Sequence, residues 1–394
     1  MSVKEDYQNY ILNTYNRFPI TFVKGKGVYL YTDDGKEILD MASGIAVSAI
    51  GHSNRDFVRA IKSQAENLVH TSNLFYTIPQ LELAKKLVEN SIFQKVFFCN
   101  SGAEANEGAI KLARKFGKSI SPEKYQIITM KNSFHGRTIT TLSATGQTKY
   151  QKGFEPLTPG FSYVELNNED ELRNAINENT AAIMIEVVQG EGGIKLATQN
   201  YLKLVRELCD KYNVLLIFDE IQTGIGRTGK LFGYEHFLPV EPDIITLAKG
   251  LGGGMPLGAF LLKDKISQFL QPGEHASTFG GNLVCTAGAL AVLNIILKNK
   301  LTENANKMGE YFRKQMNKLK KKYSTIKEVR GLGLLNGIEL TFPARDMINQ
   351  LIENNIVAIG AGENVVRFIP PLIITKKQID IVVKVCEKIL KERN

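Results

Sequence analysis

Tryptophan is absent, and cysteine is limited to Cys99, Cys209, Cys285 and Cys386. These four are scattered and form no C-x-x-C pair. That excludes a thiolate zinc knuckle or a redox dithiol and favours a reducing, cytoplasmic setting. The five histidines, His52, His70, His135, His236 and His275, show no metal-ligand spacing, so no metal site is expected. No apolar run approaches the ~20 residues that span a bilayer, so no membrane partner is expected. The N-terminal stretch MSVKEDYQNYILNTY has no apolar core of a secretion signal. Low-complexity segments and internal repeats are also missing.

What is present is a chain of 394 residues with a net charge of +9. That length supports a large core and two domains. The basic balance admits a nucleic-acid partner in principle. However, much of the lysine lies in residues 298–327, where apolar residues recur at helical spacing. A solvated helix face explains it, and no nucleic-acid partner is expected.

Two short apolar runs each end in one charge: VLLIF leads into Asp219, and DIITLA leads into Lys249. Such runs read as strands buried in a parallel sheet, whose ligands sit beyond the carboxyl ends of the strands. A lysine there can lose its proton by desolvation and form an imine with a carbonyl compound. An aspartate can hold a pyridine nitrogen protonated. Together these match the needs of pyridoxal phosphate, although a structural ion pair is the plainer alternative. If the strand continues through DEIQ, Asp219 and Ile221 share a face, and Gln222 can donate to a ring hydroxyl. GIGRTG, residues 224–229, imitates a dinucleotide fingerprint, and with Lys230 nearly a phosphate loop. Leu231 stands where a phosphate loop needs Ser or Thr, and KLFGYEHF has no helical period.

Elsewhere, VYLYTDDGKEILD reads as a hairpin turning at Asp33-Asp34-Gly35. KVFFCNSGAEANEGAIKLARKFG reads as a strand followed by a helix. Ser101 is its N-cap and Glu104 completes a capping box. Gly102 lets the backbone approach a ligand, and such a helix start suits phosphate, with a plain capped helix as the equal alternative. YQIITM delivers NSFHGRT, where Phe134 can stack on a flat ring and Arg137 suits a carboxylate; core packing and a surface arginine are the bland readings. AAIMIEVVQGEGG ends a strand near Glu186. HASTFGGN offers the hydroxyls of Ser277 and Thr278 before a helix from Leu283. NVVRFIPPL places Arg367 before a Pro-Pro turn. The alternation of strands and helices argues an α/β fold with a mainly parallel sheet. The expected division is a large domain over 49–284 and a smaller α+β domain formed by 1–48 and 285–394.

The motifs GIAVSAIGH, NSGAEANE, NSFHGRT, EVVQGEGG, FDEIQTGIGRTG, AKGLGGGMPLGA, STFGGN and VRFIPPL occur in an order that resembles the class III, fold-type I aminotransferases. The resemblance spans nearly the whole chain. It implies pyridoxal phosphate, with Lys249 as the Schiff-base lysine and Asp219 on the ring nitrogen. Gln222 would lie near the ring oxygen, with Ile221 and Phe134 on the ring faces and Ser101, Gly102 and Ala103 around the phosphate. It further implies a homodimer, in which Thr278 reaches the phosphate of the neighbouring subunit. Arg137 and Ser277 would contact the amine donor. Arg367 would bind the α-carboxylate of glutamate or 2-oxoglutarate, and Glu186 would pair with Arg367 when that carboxylate is absent. Ornithine-using members carry a tyrosine near the position of Ile45, so the isoleucine favours an acylated donor such as N2-acetyl-L-ornithine. Ornithine, succinyl-diaminopimelate, an acyl-lysine and 4-aminobutyrate remain alternative donors. Two departures from the family pattern lie at element starts: the proline usual after GH-x-H is missing from GHSNRDF, and Leu283 stands where a proline is common.

Overall fold

The computed structural model describes residues 3–393. Met1, Ser2 and Asn394, the outermost residues of the expected terminal domain, lie outside them. A seven-stranded sheet carries the core, in the order Lys95–Cys99, Gly258–Leu262, Ile244–Leu247, Leu215–Asp219, Thr180–Ile185, Gln126–Met130, Phe161–Val164. Every neighbouring pair is parallel except those made by Gly258–Leu262, which runs against both its neighbours. The other six strands therefore share one direction, and their carboxyl ends meet at one edge. The central strands are buried along their whole length, as their unbroken aliphatic runs require.

Helices close both faces of the sheet. Gly102–Lys118 buries Ala105, Ala109, Ile110, Leu112 and Ala113 against it. Gln199–Tyr212 starts at Thr198, whose hydroxyl accepts from Tyr201 N at 3.2 Å, and stops at Asn213, which takes the left-handed conformation at φ +51°. The apolar helix Leu283–Lys298 packs on Arg55–Asn67 and Ile78–Glu89. At both element starts that lack the family's proline, an asparagine caps instead. Asn54 Oδ1 accepts from Asp56 N and Phe57 N, and Asn282 Oδ1 from Val284 N and Cys285 N.

The expected hairpin forms, with Tyr29–Thr32 antiparallel to Glu37–Asp40. Ile356–Val357 from the far end of the chain adds parallel to the second strand, so both chain ends share one sheet. A further sheet joins Ile326–Leu332, Leu335–Leu340, Val365–Phe368 and Ile359–Gly360. The lysine-rich segment is the helix Leu301–Lys322, which buries Leu301, Ala305, Met308, Phe312, Met316 and Leu319 and leaves its lysines to solvent. All four cysteines are free and buried. Among the described residues, no single helix is long and apolar enough to cross a membrane.

Candidate active site

The carboxyl ends of five parallel strands surround a cleft of about 480 Å³. Ser101 and Gly102 follow the first, Phe134 and Arg137 the second, Glu186 the third; Asp219 ends the fourth, and Lys249 follows the fifth. This is where a parallel sheet presents ligands.

Asp219 is 3% exposed, and its carboxylate meets three partners while Oδ1 keeps acceptor capacity to spare. Oδ2 accepts from Asn106 Nδ2 at 2.8 Å and lies 2.8 Å from His135 Nδ1; Oδ1 accepts from Ile221 N at 3.0 Å. A carboxylate only accepts, so the proton between the two sits on His135. Three partners around one buried carboxylate fix its orientation. Neither Asn106 nor His135 is visible from spacing. Both lie inside quoted motifs, NSGAEANE and NSFHGRT, but nothing in the sequence pairs either with Asp219. The strand stops at Asp219, so Ile221 does not alternate with it as expected. The chain turns instead, and the Asp219–Ile221 hydrogen bond sets that turn.

Lys249 follows its strand with φ +42°, in the sparsely populated left-handed region, at the start of a short 3₁₀ turn. Burial lowers its pKa below the usual lysine range, opposed by Glu191. Phe134 and Ile221 both line the cleft. At the cleft floor Ser101 Oγ accepts from Glu104 N at 3.2 Å. The capping box is completed one residue early: Glu104 Oε2 accepts from Asn100 N at 2.7 Å and Asn100 Nδ2 at 2.8 Å, not from Ser101 N. The N–H groups of Gly102 and Ala103 lie in the first helical turn, where no intrahelical carbonyl can reach them. A Cβ at Gly102 would lie 2.7 Å from Ile221 Cδ1, so a larger residue there would push the Ile221 side chain aside. Gly258 meets a similar limit, since a Cβ there would lie 2.3 Å from Ser101 O.

Arg367, on Val365–Phe368, is 2% exposed. The expected pairing with Glu186 is not found. Arg367 Nη1 lies 2.6 Å from Glu191 Oε1 and also donates to Gly190 O and Gln222 Oε1, each at 3.0 Å. Glu186 turns the other way, because its carboxylate accepts from Phe134 N at 2.8 Å and Gly190 N at 3.0 Å. Burial raises the Glu186 pKa to about 7. Burial also pushes Glu191 up, but Arg367 and Lys249 bring it below the usual carboxylate range. Gln222 lines the cleft and accepts from Arg367, so it links the cleft to this ion pair.

Arg137 is exposed, with its guanidinium 4.1 Å from the Tyr150 ring centroid and 5.5 Å from that of Phe134. Ser277 Oγ accepts from Asn100 Nδ2 at 3.1 Å and Gly280 N at 3.0 Å. Thr278 is exposed and is not part of the cleft wall. GIGRTG is followed by the four-residue 3₁₀ turn Gly233–His236, not by a helix, so a dinucleotide fingerprint is excluded. Asp243, at the distance of a ribose acid, is buried against Arg206 at 2.8 Å and Lys265 at 3.1 Å.

Pyridoxal phosphate fits this set. A desolvated amine and an oriented carboxylate face one cleft, Phe134 and Ile221 line it, and a helix start with free N–H groups lies at its floor.

The family described as Aminotransferase class-III matches residues 10–390. The acetylornithine aminotransferase of Methanocaldococcus jannaschii is 51% identical over 386 residues, covering 98% of this chain and 97% of that one. An ornithine aminotransferase structure from Toxoplasma gondii, with partial occupancy of PLP at its active site, superposes with a TM-score of 0.94 at 35% identity over 99% of this chain and 94% of that one. The acetylornithine aminotransferase of Elizabethkingia anophelis superposes with a TM-score of 0.88 at 36% identity, over 99% and 98%. The chain belongs to the class-III aminotransferases.

Proposed function

We propose that this enzyme moves the δ-amino group of N2-acetyl-L-ornithine to 2-oxoglutarate, giving N-acetyl-L-glutamate 5-semialdehyde and L-glutamate. The observation that carries the chemistry is the meeting of Lys249, Asp219 and the Glu191–Arg367 pair around one cleft. The choice of donor rests on the name of the M. jannaschii relative and on Ile45, whose aliphatic side chain offers no hydrogen bond to a free α-amino group.

Pyridoxal phosphate, when bound, supplies a carbonyl that condenses with amines and a protonated ring that accepts electron density. The residues supply the rest. Asp219, aimed by His135 and Asn106, holds the proton on the ring nitrogen. Phe134 and Ile221 would flank the ring, and Ser101, Gly102 and Ala103 would hold the phosphate. Lys249 Nζ, its charge disfavoured by burial, would carry a proton from and to the reacting carbon of the donor. Arg137 and Ser277 meet the acetylated donor. Arg367 takes the α-carboxylate of 2-oxoglutarate once Glu191 swings away.

We further propose a cytoplasmic homodimer in which Thr278 serves the neighbouring phosphate. Leu74, Phe75, Tyr76, Ile78 and Phe279 are exposed. They lie on segments joined by Asn73 Nδ2, which donates to Ser277 O and Gly280 O. An apolar face of this kind beside Thr278 suits a second copy of the chain.

The test is kcat/KM for N2-acetyl-L-ornithine against ornithine, both with 2-oxoglutarate. A preference of about tenfold or more for the acetylated amine, about 1.4 kcal/mol at the transition state, is expected. Equal use, or a preference for ornithine, refutes the choice of donor and leaves the amine transfer standing.

A further inference from the structure

The GIGRTG turn carries none of the chemistry above, yet its Arg227 is among the most deeply buried large side chains, at 2% exposure. Among the described residues, no carboxylate forms an ion pair with its guanidinium. Nη1 donates to Leu334 O at 3.1 Å and Pro370 O at 2.5 Å, and Nη2 lies 3.4 Å from Ser43 Oγ. Its own carbonyl accepts from Leu334 N at 3.0 Å. Burying a guanidinium is costly, and an apolar side chain of that length would fill the same volume more favourably. What an apolar side chain cannot do is tie three distant segments together through their oxygens.

Those segments are the ones that frame the substrate end of the cleft. Pro370 lies three residues beyond Arg367. Leu334 joins Ile326–Leu332 to Leu335–Leu340, and in the second of these strands Gly337 is paired opposite Arg367. Ser43 opens a left-handed turn in which four successive residues have positive φ: Ser43 at +43°, Gly44 at +63°, Ile45 at +65° and Ala46 at +66°. A β-branched residue there is unfavourable and persists only when its surroundings over-determine it. They do so here. Asp40 Oδ1 accepts from Ala42 N at 2.9 Å and Ser43 N at 2.7 Å, and Ser43 Oγ donates to Ile369 O at 2.5 Å. Val47, next after the turn, lines the cleft.

We propose that Arg227 is a positioning residue that holds the turn at residues 43–47 and the Arg367 strand at a fixed separation, and so sets the affinity for both substrates without touching either. The inference rests on the amine-transfer reading of the cleft. Arg227→Met keeps length and loses every donor; Arg227→Lys keeps the charge. In the purified holoenzyme, Arg227→Met is expected to raise KM for the amine donor and for 2-oxoglutarate by roughly tenfold or more, the scale set by small misplacements of binding groups. Its kcat should stay within about threefold and its visible absorbance band should be unchanged, because Lys249 and Asp219 are not displaced. Arg227→Lys should recover part of the KM loss. Glutarate binding, followed by calorimetry, should weaken in parallel with KM. A fall in melting temperature with both KM values and glutarate affinity unchanged overturns the proposal, as does a loss confined to kcat. If Arg227→Met does not fold, Ser43→Ala removes one contact of the same clasp and must raise KM in the same direction; an unchanged KM there overturns it too. If the wild type transfers no amine at all, the functional reading fails, while glutarate calorimetry on the same variants still decides whether Arg227 positions Arg367.

Discussion

Replacing Glu191 by alanine should improve one substrate while weakening the protein. Glu191 lies 2.6 Å from Arg367, whose side chain is 2% exposed, while Glu191 itself is 22% exposed. Any carboxylate that enters must first displace this glutamate. A hydrogen bond between charged groups is worth about 1.5–3 kcal/mol net. Removing the internal competitor should therefore tighten 2-oxoglutarate binding by about ten- to a hundredfold, at about 1.4 kcal/mol per decade. The lower half of that range is the better figure, because solvent already reaches Glu191. The same change leaves a buried guanidinium with only Gly190 O and Gln222 Oε1, so the ligand-free protein should lose about 1.5–3 kcal/mol. Glutarate, which replaces the missing carboxylate, should restore that stability. The assays are KM for 2-oxoglutarate, the glutarate dissociation constant and melting temperatures with and without glutarate. An unchanged or raised KM would refute the gate, and so would a stability loss that glutarate leaves unrepaired.

Three further outcomes follow, two from the cleft and one from Glu220 beside it. Lys249→Ala should abolish turnover, and a near-normal steady-state rate in that variant would remove the lysine from the chemistry. Asp219→Asn should cost about a hundredfold or more in kcat, the scale of a lost electrostatic partner; a change below about tenfold would contradict the role given to it. Glu220, 1% exposed and accepting from Tyr234 N at 2.7 Å, has its pKa raised by burial to about 8. Its contribution to stability is fully present below its ordinary value of 4.5 and is lost as pH rises to about 8, amounting to roughly 3–5 kcal/mol. Urea midpoints should therefore fall over that window, and Glu220→Gln should flatten the fall; identical slopes in both proteins would show that Glu220 does not hold the proton.

Asp219 and Lys249 were legible because each is the first charge met at the end of an apolar run, and such a run in a parallel sheet has one place for its last side chain. Ser101 and Gly102 were legible because capping is local. What the sequence hid is contact between strands. EVVQGE contains two glutamates, and only the backbone turn after Ile185 decides which of them reaches Arg367: Glu186 is drawn to Phe134 N and Gly190 N, and Glu191 is left to face the arginine. The turn after Glu186, rich in glycine, was the available hint that the second carboxylate is re-aimed. His135 and Asn106 were missed for a related reason. Their partner Asp219 lies 84 and 113 residues away, and no periodicity reports on a pairing made through the sheet. Arg227 belongs to the same group, since a motif that imitates phosphate binding serves instead as an internal strut.

The reversed strand Gly258–Leu262 has a consequence for assembly. The chain leaves Lys249, forms the cleft wall at Gly254, Met255, Pro256 and Leu257, and re-enters the sheet at once beside the strand it has just left. The lysine and its wall are thus linked by a short loop, and closing a short loop loses little chain entropy. The strand Lys95–Cys99, which delivers the helix start at the cleft floor, joins only on the far side of Gly258–Leu262, at a sequence separation of more than 150 residues. Contacts of that range form slowly. The half of the cleft that carries the reactive amine should therefore take shape before the half that cradles an anion, with Gly258 as the seam where the late half docks against Ser101.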